Sequence, residues 1–450
     1  MWVDKAKHAT GELHGAQPKI VSVNTSDLGG GAERIATALL QGFRRRGCES
    51  WLLVGEKKTD DPYIVPFYAS PYIDYRPYAS PSLQQQLAAQ KRIMALAGVV
   101  DWEFPYSHLI AELTGSAPDI VHLHNLHGGY FDLRAVVRVS QRFPTFVTLE
   151  DGWWFSGHCV YPSGCERWQT SCGECPQLDV PPEPKLRDAT SHNWQQKRSV
   201  FGQCELFVAS PSRWLLELAQ RSILAPAIRD NRVIPHGVDL SVFKPASSSE
   251  ARRQLRIPED AFVVMFAAQS LRSNPYKDYA TIRRAVEIVA ATRPIWLLAV
   301  GQPGAEEKLG CAVLRHVPFI ESPQEIALCY QSADVYLHAA HNESFGIVIA
   351  EALASGLPVV ATAIDGIAEV FSDGEHGFHV AHADADAMAA AVLRLMHDPT
   401  LRTSLGARAA QHARRCYDVD VMVDRYLNWY REVLASNHAA ADSRRQHIDR

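Results

Sequence analysis

The sequence lacks four features that would each have pointed to a different class of protein. No apolar run approaches the roughly 20 residues that a bilayer-spanning helix needs. The N-terminus, MWVDKAKHATGELHGAQPK, is polar and has no apolar stretch of the secretory kind. A cytoplasmic chain is therefore expected. There is no basic excess: Lys+Arg 45 against Asp+Glu 50 leaves a net charge of −5. Nucleic acid is thus a poor partner, because phosphate backbones select a basic face. Nor is there a short internal repeat. The nine cysteines are an odd number in a 450-residue chain, which argues against a disulfide framework. Four of them nevertheless crowd into residues 159–175.

A hydrophobic share of 47% and a charged share of 21% are those of folded protein. At this length a single core is exceeded, so two or three domains are expected. Short Val/Ile/Leu runs alternate with longer helical patterns. Strands are expected at Lys19–Val23, Trp51–Val54, Asp119–His124, Thr145–Leu149, Glu205–Ala209 and Arg232–Pro235, then at Phe262–Ala268, Ile295–Val300, Asp334–His338 and Pro358–Ala361. Runs apolar along their whole length belong to parallel sheets covered on both faces. Helices fill the gaps, for example Ala32–Arg45, Tyr279–Thr292, Gly346–Ala354 and Ala385–His397. The pattern predicts α/β architecture with two doubly wound parallel-sheet domains facing across a cleft.

The expected layout is a polar segment over 1–18, a first domain over 19–245 and a second over 246–403. The break falls at the linker Pro245-Ala-Ser-Ser-Ser-Glu250, followed by a short helix over Glu250–Arg256. One long helix over 404–436 and a polar tail over 437–450 complete the chain. Ligands of such sheets sit outside the carboxyl ends of the strands, so residues just after strands matter most.

The most informative stretch is His341-Asn-Glu343-Ser-Phe-Gly-Ile-Val-Ile-Ala-Glu351-Ala-Leu-Ala-Ser-Gly356. It reads as strand, turn and helix, with Ser344 as the expected cap. The unpaired N–H groups of a first helical turn suit a phosphate or sugar oxygen. Glu351 lies in an otherwise apolar helix, where a carboxylate is costly unless a partner satisfies it.

The run E-SFGIVIA-E followed by ALASGLPVVAT resembles the signature of the retaining glycosyltransferases of family 4, which have the GT-B fold. The similarity extends to Asn24-Thr-Ser-Asp-Leu-Gly29-Gly30-Gly31-Ala-Glu-Arg, to VIPHGVDLSVFKP and to SLRSNPYKDY, spanning residues 19 to 435. The resemblance implies that Arg272 and Lys277 neutralise the donor diphosphate. Glu343, with the backbone of Ser344, Phe345, Gly346 and Ile347, would hold the transferred sugar and phosphate. Glu351 would take the ribose hydroxyls, and the backbone at Val317–Phe319 would meet the base. Gly29, Gly30 and Gly31 would admit the donor phosphates closely, although a plain tight turn competes with that reading. The final helix would pack back across the cleft. A UDP- or GDP-linked sugar is the expected donor and a glycan or lipid-linked glycan the expected acceptor, with peripheral contact at the inner face of a membrane. The apolar stretch 86–113 is a site for that contact or an ordinary core helix. No cofactor is implied for catalysis.

In the first domain, Asp119-Ile-Val-His122-Leu-His124-Asn125-Leu-His127 puts three histidines at or after a strand end. His122 reads as structural, and His124 and His127 as acceptor-side groups. Thr148-Leu-Glu150-Asp151-Gly-Trp153-Trp154-Phe-Ser-Gly157-His158-Cys159 resembles a subgroup of family 4 that reads T-L-H-D-x-W-x-F-T-G-H-C and builds surface or exported polysaccharide. Glu150 stands where that subgroup has histidine, and a carboxylate accepts where imidazole donates. Glu150 and Asp151 join the acceptor-side candidates.

Cys159, Cys165, Cys172 and Cys175 have the composition of a closed four-thiolate zinc site, with Cys172-x-x-Cys175 a common half-site. Two disulfides or four packed thiols are the alternatives. A zinc ion would staple the Pro-rich insertion over 159–190. The resemblance implies transfer of a sugar to an acceptor hydroxyl in bacterial exopolysaccharide or cell-surface glycan assembly. Two other readings stay open: a sugar-nucleotide epimerase on the same fold, and a non-catalytic sugar-nucleotide-binding protein.

Overall fold

The computed structural model describes residues 17–68, 104–182 and 186–448, with residues 85, 89, 92–94 and 96–99 between them. Residues 1–16 of the polar segment and parts of the 86–113 stretch lie outside the described residues.

Two seven-stranded sheets organise the chain. The first runs β3-β2-β1-β4-β5-β6-β7 and is parallel throughout. Its strands are β1 (Lys19–Ser26), β2 (Glu49–Glu56), β3 (Ile64–Pro66), β4 (Ile120–Leu123), β5 (Thr145–Thr148), β6 (Leu206–Ser210) and β7 (Ile228–Val233). The second runs β10-β11-β9-β8-β12-β13-β14. It comprises β8 (Val263–Ala267), β9 (Ile295–Val300), β10 (Glu307–Leu309), β11 (Ala312–Val317), β12 (Val335–His338), β13 (Val359–Thr362) and β14 (Gly377–Val380). Only β10 is antiparallel to its neighbour.

The central strands β4, β5, β8, β12 and β13 are buried at every position. That is the physical reason their sequences are apolar without alternation. The strands that sequence patterning misses or misplaces sit at or next to sheet edges. Strand β7 carries the polar sequence IRDNRV and begins four residues before the expected Arg232–Pro235. Strand β11 buries alternate residues, and β3 and β10 are three residues each.

The expected single helix over 404–436 is two helices, Pro399–Cys416 and Val419–Ile448. The break has a backbone cause. At Tyr417-Asp418 the chain extends to pair with the interdomain segment, with the Val238 N–H donating to the Tyr417 carbonyl at 2.7 Å and the Val419 N–H donating to the Val238 carbonyl at 3.1 Å. Gly237 is needed there, because a Cβ would lie 2.5 Å from the Val419 Cα.

Beyond the break, the last helix returns to the first domain. Its buried face of Met422, Val423, Tyr426, Leu427, Trp429, Tyr430 and Val433 packs with Ile20, Ile35, Leu39, Phe43, Phe146 and Phe207. Trp429 meets the Phe146 ring edge-on at 4.8 Å, and its indole N–H donates to Asp230 at 2.9 Å. His122 is structural, as expected: it lies between the Thr148 and Tyr430 hydroxyls at 2.7 Å each. Because Trp429 is fully buried, Trp429→Ala should cost about 3–5 kcal/mol. Chemical denaturation monitored by circular dichroism would read this as a lower midpoint.

Candidate functional site

The carboxyl ends of the two sheets face each other, and the side chains gathered there are largely charged. In the second domain the loop after β12 runs into helix Ile347–Ala354. Gly346 is the N-cap, with φ at 83°, and no side chain caps the helix. The expected cap, Ser344, is engaged elsewhere: its hydroxyl accepts from Tyr161 of the first domain at 3.4 Å. A left-handed residue immediately before the helix turns the chain without a side-chain acceptor, and glycine tolerates that conformation best. Gly366 closes against the loop so tightly that a Cβ would fall 1.9 Å from the Ser344 carbonyl oxygen. The Asp365 carboxylate accepts the Glu343 N–H at 3.2 Å and the Asn342 amide at 3.0 Å. These contacts fix the loop that carries Glu343.

Glu343 is ion-paired with Lys277 and lies 3.7 Å from Nε2 of His338, which is buried under it. Burial alone would raise the Glu343 carboxyl, but the Lys277 ammonium and His338 outweigh it and hold it at about 2. Burial and the Lys277 charge together lower His338 to about 4. The site thus holds a carboxylate, an ammonium and a neutral imidazole at neutral pH. Arg272 does not join this pair. It is exposed, and its guanidinium reaches Nε2 of His316 at 3.4 Å, beside the Tyr279 hydroxyl. Val317 ends β11 and Phe319 is 43% exposed, so that edge is open to a ligand.

Glu351 is 1% exposed within its apolar helix. Its partners are Arg34, from the helix Gly31–Arg45 of the first domain, and the Tyr330 hydroxyl at 2.8 Å. The partners that satisfy this carboxylate are therefore protein groups. Arg34 was not singled out by the sequence, although it stands three residues after the triple glycine. Gly30 caps that helix and Gly31 faces Ile347, where a Cβ would sit 3.7 Å from Cγ2. The glycine loop and the start of the glutamate helix are therefore in contact across the cleft.

The first domain adds a second buried carboxylate cluster. Glu150 lies between His124 Nδ1 at 3.2 Å and His236 Nε2 at 3.1 Å. Burial would raise it, but the two imidazoles hold it at about 2. His127 Nε2 is 3.7 Å from Asp151. Glu33, raised by burial, feels the charges of Glu150 and His127. The structure thus brings together His124, His127, Glu150 and Asp151, and it adds His236 and Glu33. His236 lies within the VIPHGVDLSVFKP segment, which carries part of the family resemblance, although the histidine itself was not singled out. Its ring stands 5.3 Å from that of Phe345 in the second domain. His124 Nε2, His236 Nδ1, Asn125 Oδ1, Trp153 Nε1 and His338 Nδ1 are buried without a hydrogen-bond partner in the described structure. Buried polar atoms in that state are costly, and they offer donors and acceptors to a hydroxyl-rich ligand.

The Cys-rich insertion reaches over the cleft. Besides Tyr161, Ser163 donates to the Asn342 side-chain oxygen at 2.5 Å, and Tyr276 donates to the Pro181 carbonyl at 3.3 Å. All four of its cysteines are free thiols and line one small pocket.

Comparisons with known proteins agree with this architecture. Residues 29–242 match the family model Glycosyltransferase Family 4, and residues 247–412 match Glycosyl transferases group 1. The D-inositol 3-phosphate glycosyltransferase of Acidothermus cellulolyticus is 34% identical over 271 residues, 55% of this chain and 59% of that protein. Its namesake from Thermomonospora curvata is 34% identical over 222 residues, 44% of this chain and 50% of that protein. The chain therefore spans between half and about three fifths of the length of these curated relatives. Sucrose-phosphate synthase from Thermosynechococcus elongatus has a TM-score of 0.61 at 19% identity, covering 93% of this chain and 100% of that one. Anabaena HepE in complex with UDP and glucose has a TM-score of 0.60 at 16% identity, with the same coverage. The two matched domains together run from residue 29 to residue 412, and the two-sheet architecture is the GT-B fold.

The Glu150 cluster has a pH signature. Between its ordinary value of 4.5 and its folded value of about 2, the unfolded chain binds the proton and the folded chain does not. Stability from Glu150 is therefore present above pH 4.5 and is lost as pH falls toward 2. Denaturant unfolding of wild type and Glu150→Gln should differ most near pH 6 and converge over that window.

Proposed function

We propose that the chain transfers a sugar, with retention, from a nucleotide-diphosphate donor to an acceptor hydroxyl. The observation that carries the proposal is the Lys277–Glu343 pair beside the start of helix Ile347–Ala354, facing the glycine loop of the other domain. A departing diphosphate develops negative charge. Lys277 and the unpaired N–H groups of the first helical turn are fixed dipoles and charge aimed at such a group. Arg272 flanks them from the β11 edge, where the base would lie. Glu343 would orient the sugar, and Glu351 would exchange Arg34 for the ribose hydroxyls as the donor enters. The acceptor hydroxyl would attack from the leaving group's face and pass its proton to the departing phosphate.

The buried unpartnered atoms of His124, His236, Asn125 and Trp153 support a polyhydroxylated ligand on the first-domain side. Glu150 serves there as an acceptor for sugar hydroxyls and as the anchor of the two imidazoles. The HepE structure is a complex with UDP and glucose, which favours a UDP-sugar as the donor to test first. The polysaccharide-building motif around Glu150 favours a cell-surface glycan acceptor, whereas the curated relatives are named for D-inositol 3-phosphate. Among the described residues no helix is long and apolar enough to cross a membrane. Contact with a lipid-linked acceptor would therefore be peripheral.

A thermal-shift screen of UDP-, GDP-, ADP- and dTDP-sugars tests the donor site, since a ligand of the folded state raises the melting temperature. One nucleotide family should stabilise wild type and fail to stabilise Glu351→Ala. With that donor, Lys277→Ala should lower turnover by about 10²–10³-fold, the loss seen when one stabilising group is removed. Binding without transfer or hydrolysis, whatever glycan or inositol phosphate is offered, would leave a sugar-nucleotide-binding protein. An acceptor-independent change of the sugar would make it an epimerase.

A further inference from the structure

We propose that Cys159, Cys165, Cys172 and Cys175 bind one zinc ion, and that the metal holds the strap whose Tyr161 and Ser163 grip the Glu343 loop. The four residues lie on three separate turns of the insertion, yet they line one pocket together with His158, Arg167, Trp168 and Thr190. Four soft sulfur ligands around a shared space are the donor set of a closed structural zinc site.

Backbone N–H groups are aimed at two of the sulfurs. The Gly157 N–H donates to the Cys172 sulfur at 3.3 Å, and the Gln177 N–H donates to the Cys175 sulfur at 3.4 Å. Residues 172 to 174 all take left-handed conformations, with φ of 51°, 87° and 44°. Two of these are not glycine, and such strain persists only where the surroundings over-determine it. The Arg167 guanidinium donates to the carbonyl of Gly173 at 3.0 Å and to that of Glu174, fixing the turn between the two sulfurs. Gly157 is pressed against Cys172, where a Cβ would stand 3.1 Å from the Cys172 Cβ. The pocket's wall is thereby held in position on three sides.

No three of these sulfurs come within 4.8 Å of one another. A zinc tetrahedron with bonds of about 2.3 Å needs sulfurs about 3.8 Å apart, so binding draws the turns inward. Each thiol loses its proton to solvent as it ligates, giving four protons released per zinc. The resulting complex carries two negative charges, and Arg167 on the pocket wall offsets part of them.

The consequence lies at the other end of the strap. Tyr161 and Ser163 stand between the first and second of these cysteines, and both hydrogen-bond the 342–344 loop. Ser163, Gly164 and Cys165 also line a groove of about 750 Å³ shared with Pro275 and Tyr276. Few apolar side chains of the insertion are buried, Val160 and Trp168 being the larger ones. A segment with so small a core needs a covalent or metal staple to stay ordered.

Elemental analysis of the full chain, purified without added metal and dialysed against metal-free buffer, should find about one zinc per chain. Cys172→Ser combined with Cys175→Ser should reduce it to less than a tenth, while Cys311→Ser should retain it. Reconstitution of chelator-treated wild type with Co²⁺ supplies a readout independent of variant folding: thiolate-to-cobalt charge transfer with tetrahedral d–d bands is expected. Metal removal should also increase proteolytic cutting within residues 159–182. Wild-type zinc below a tenth of an equivalent would overturn the proposal. So would an octahedral cobalt spectrum, or a mass showing two disulfides in freshly prepared protein. Each readout is independent of whether any sugar nucleotide binds, so failure here leaves the donor-site reading untouched.

Discussion

The structure turns on the cost of burying carboxylates in the seam between two sheets. Glu150, Glu343 and Glu351 are all withdrawn from water. An isolated charge there is unaffordable unless a partner of opposite charge or a set of donors lies within reach. The partners come from distant parts of the chain: His124 and His236 for Glu150, Lys277 for Glu343, and Arg34 with Tyr330 for Glu351. Each pairing ties loops from different strand ends into one arrangement. The Arg34–Glu351 pair also ties one domain to the other. A ligand that takes over one of these carboxylates must supply what the displaced partner supplied, which selects for hydroxyl-rich and cation-compatible chemistry.

Around that seam the chain is closed mechanically as well as electrostatically. Glu369 of the second domain accepts the N–H groups of Arg213 and Trp214 at 2.8 and 2.7 Å, capping a first-domain helix. The backbone ladder at Val238 and Asp418 joins the interdomain segment to the start of the returning helix. That helix then buries an aromatic face of Tyr426, Trp429 and Tyr430 against the first sheet. The two domains thus share a seam, two crossings of the chain and a strap. Relative motion of the domains must pass through these few points, because packed interfaces shift between discrete arrangements instead of deforming continuously.

The strap explains features that are otherwise unrelated. The Trp194 indole donates to the Trp168 carbonyl at 2.6 Å, and Lys197 donates to the Trp153 and Ser156 carbonyls at 2.5 and 3.0 Å. Much of the tryptophan clustered in this region therefore packs beneath the insertion and orients it. These rings are buried, so they act through the insertion and not as sugar-stacking faces. The tyrosine and serine they help to place are the groups that reach the second domain.

Much of the fold was legible because parallel sheets buried on both faces demand unbroken apolar runs. Strand β9 and helix Ala385–His397 fall where periodicity puts them, and the other central strands within a few residues. The edges were not legible, since β7 and β10 are polar and β11 alternates. The site follows the same division. The family resemblance marked Glu343, Lys277 and the glycine loop, and Glu351 also stood out as a carboxylate in an apolar helix. Arg34 and His236 lay inside segments that carry the resemblance without being singled out, and Tyr161 had no signal of its own, since a side chain's partner across a domain seam leaves no imprint on its own neighbours in sequence. Ser344 looked like a cap, yet the loop closes through Gly346 and Gly366, because the Ser344 hydroxyl is engaged by Tyr161. The sequence by itself determined the elements, the apolar layers and the residue chemistry available. Only the tertiary structure decided which charges meet, because those pairings join segments that lie from 21 to 317 residues apart in the chain.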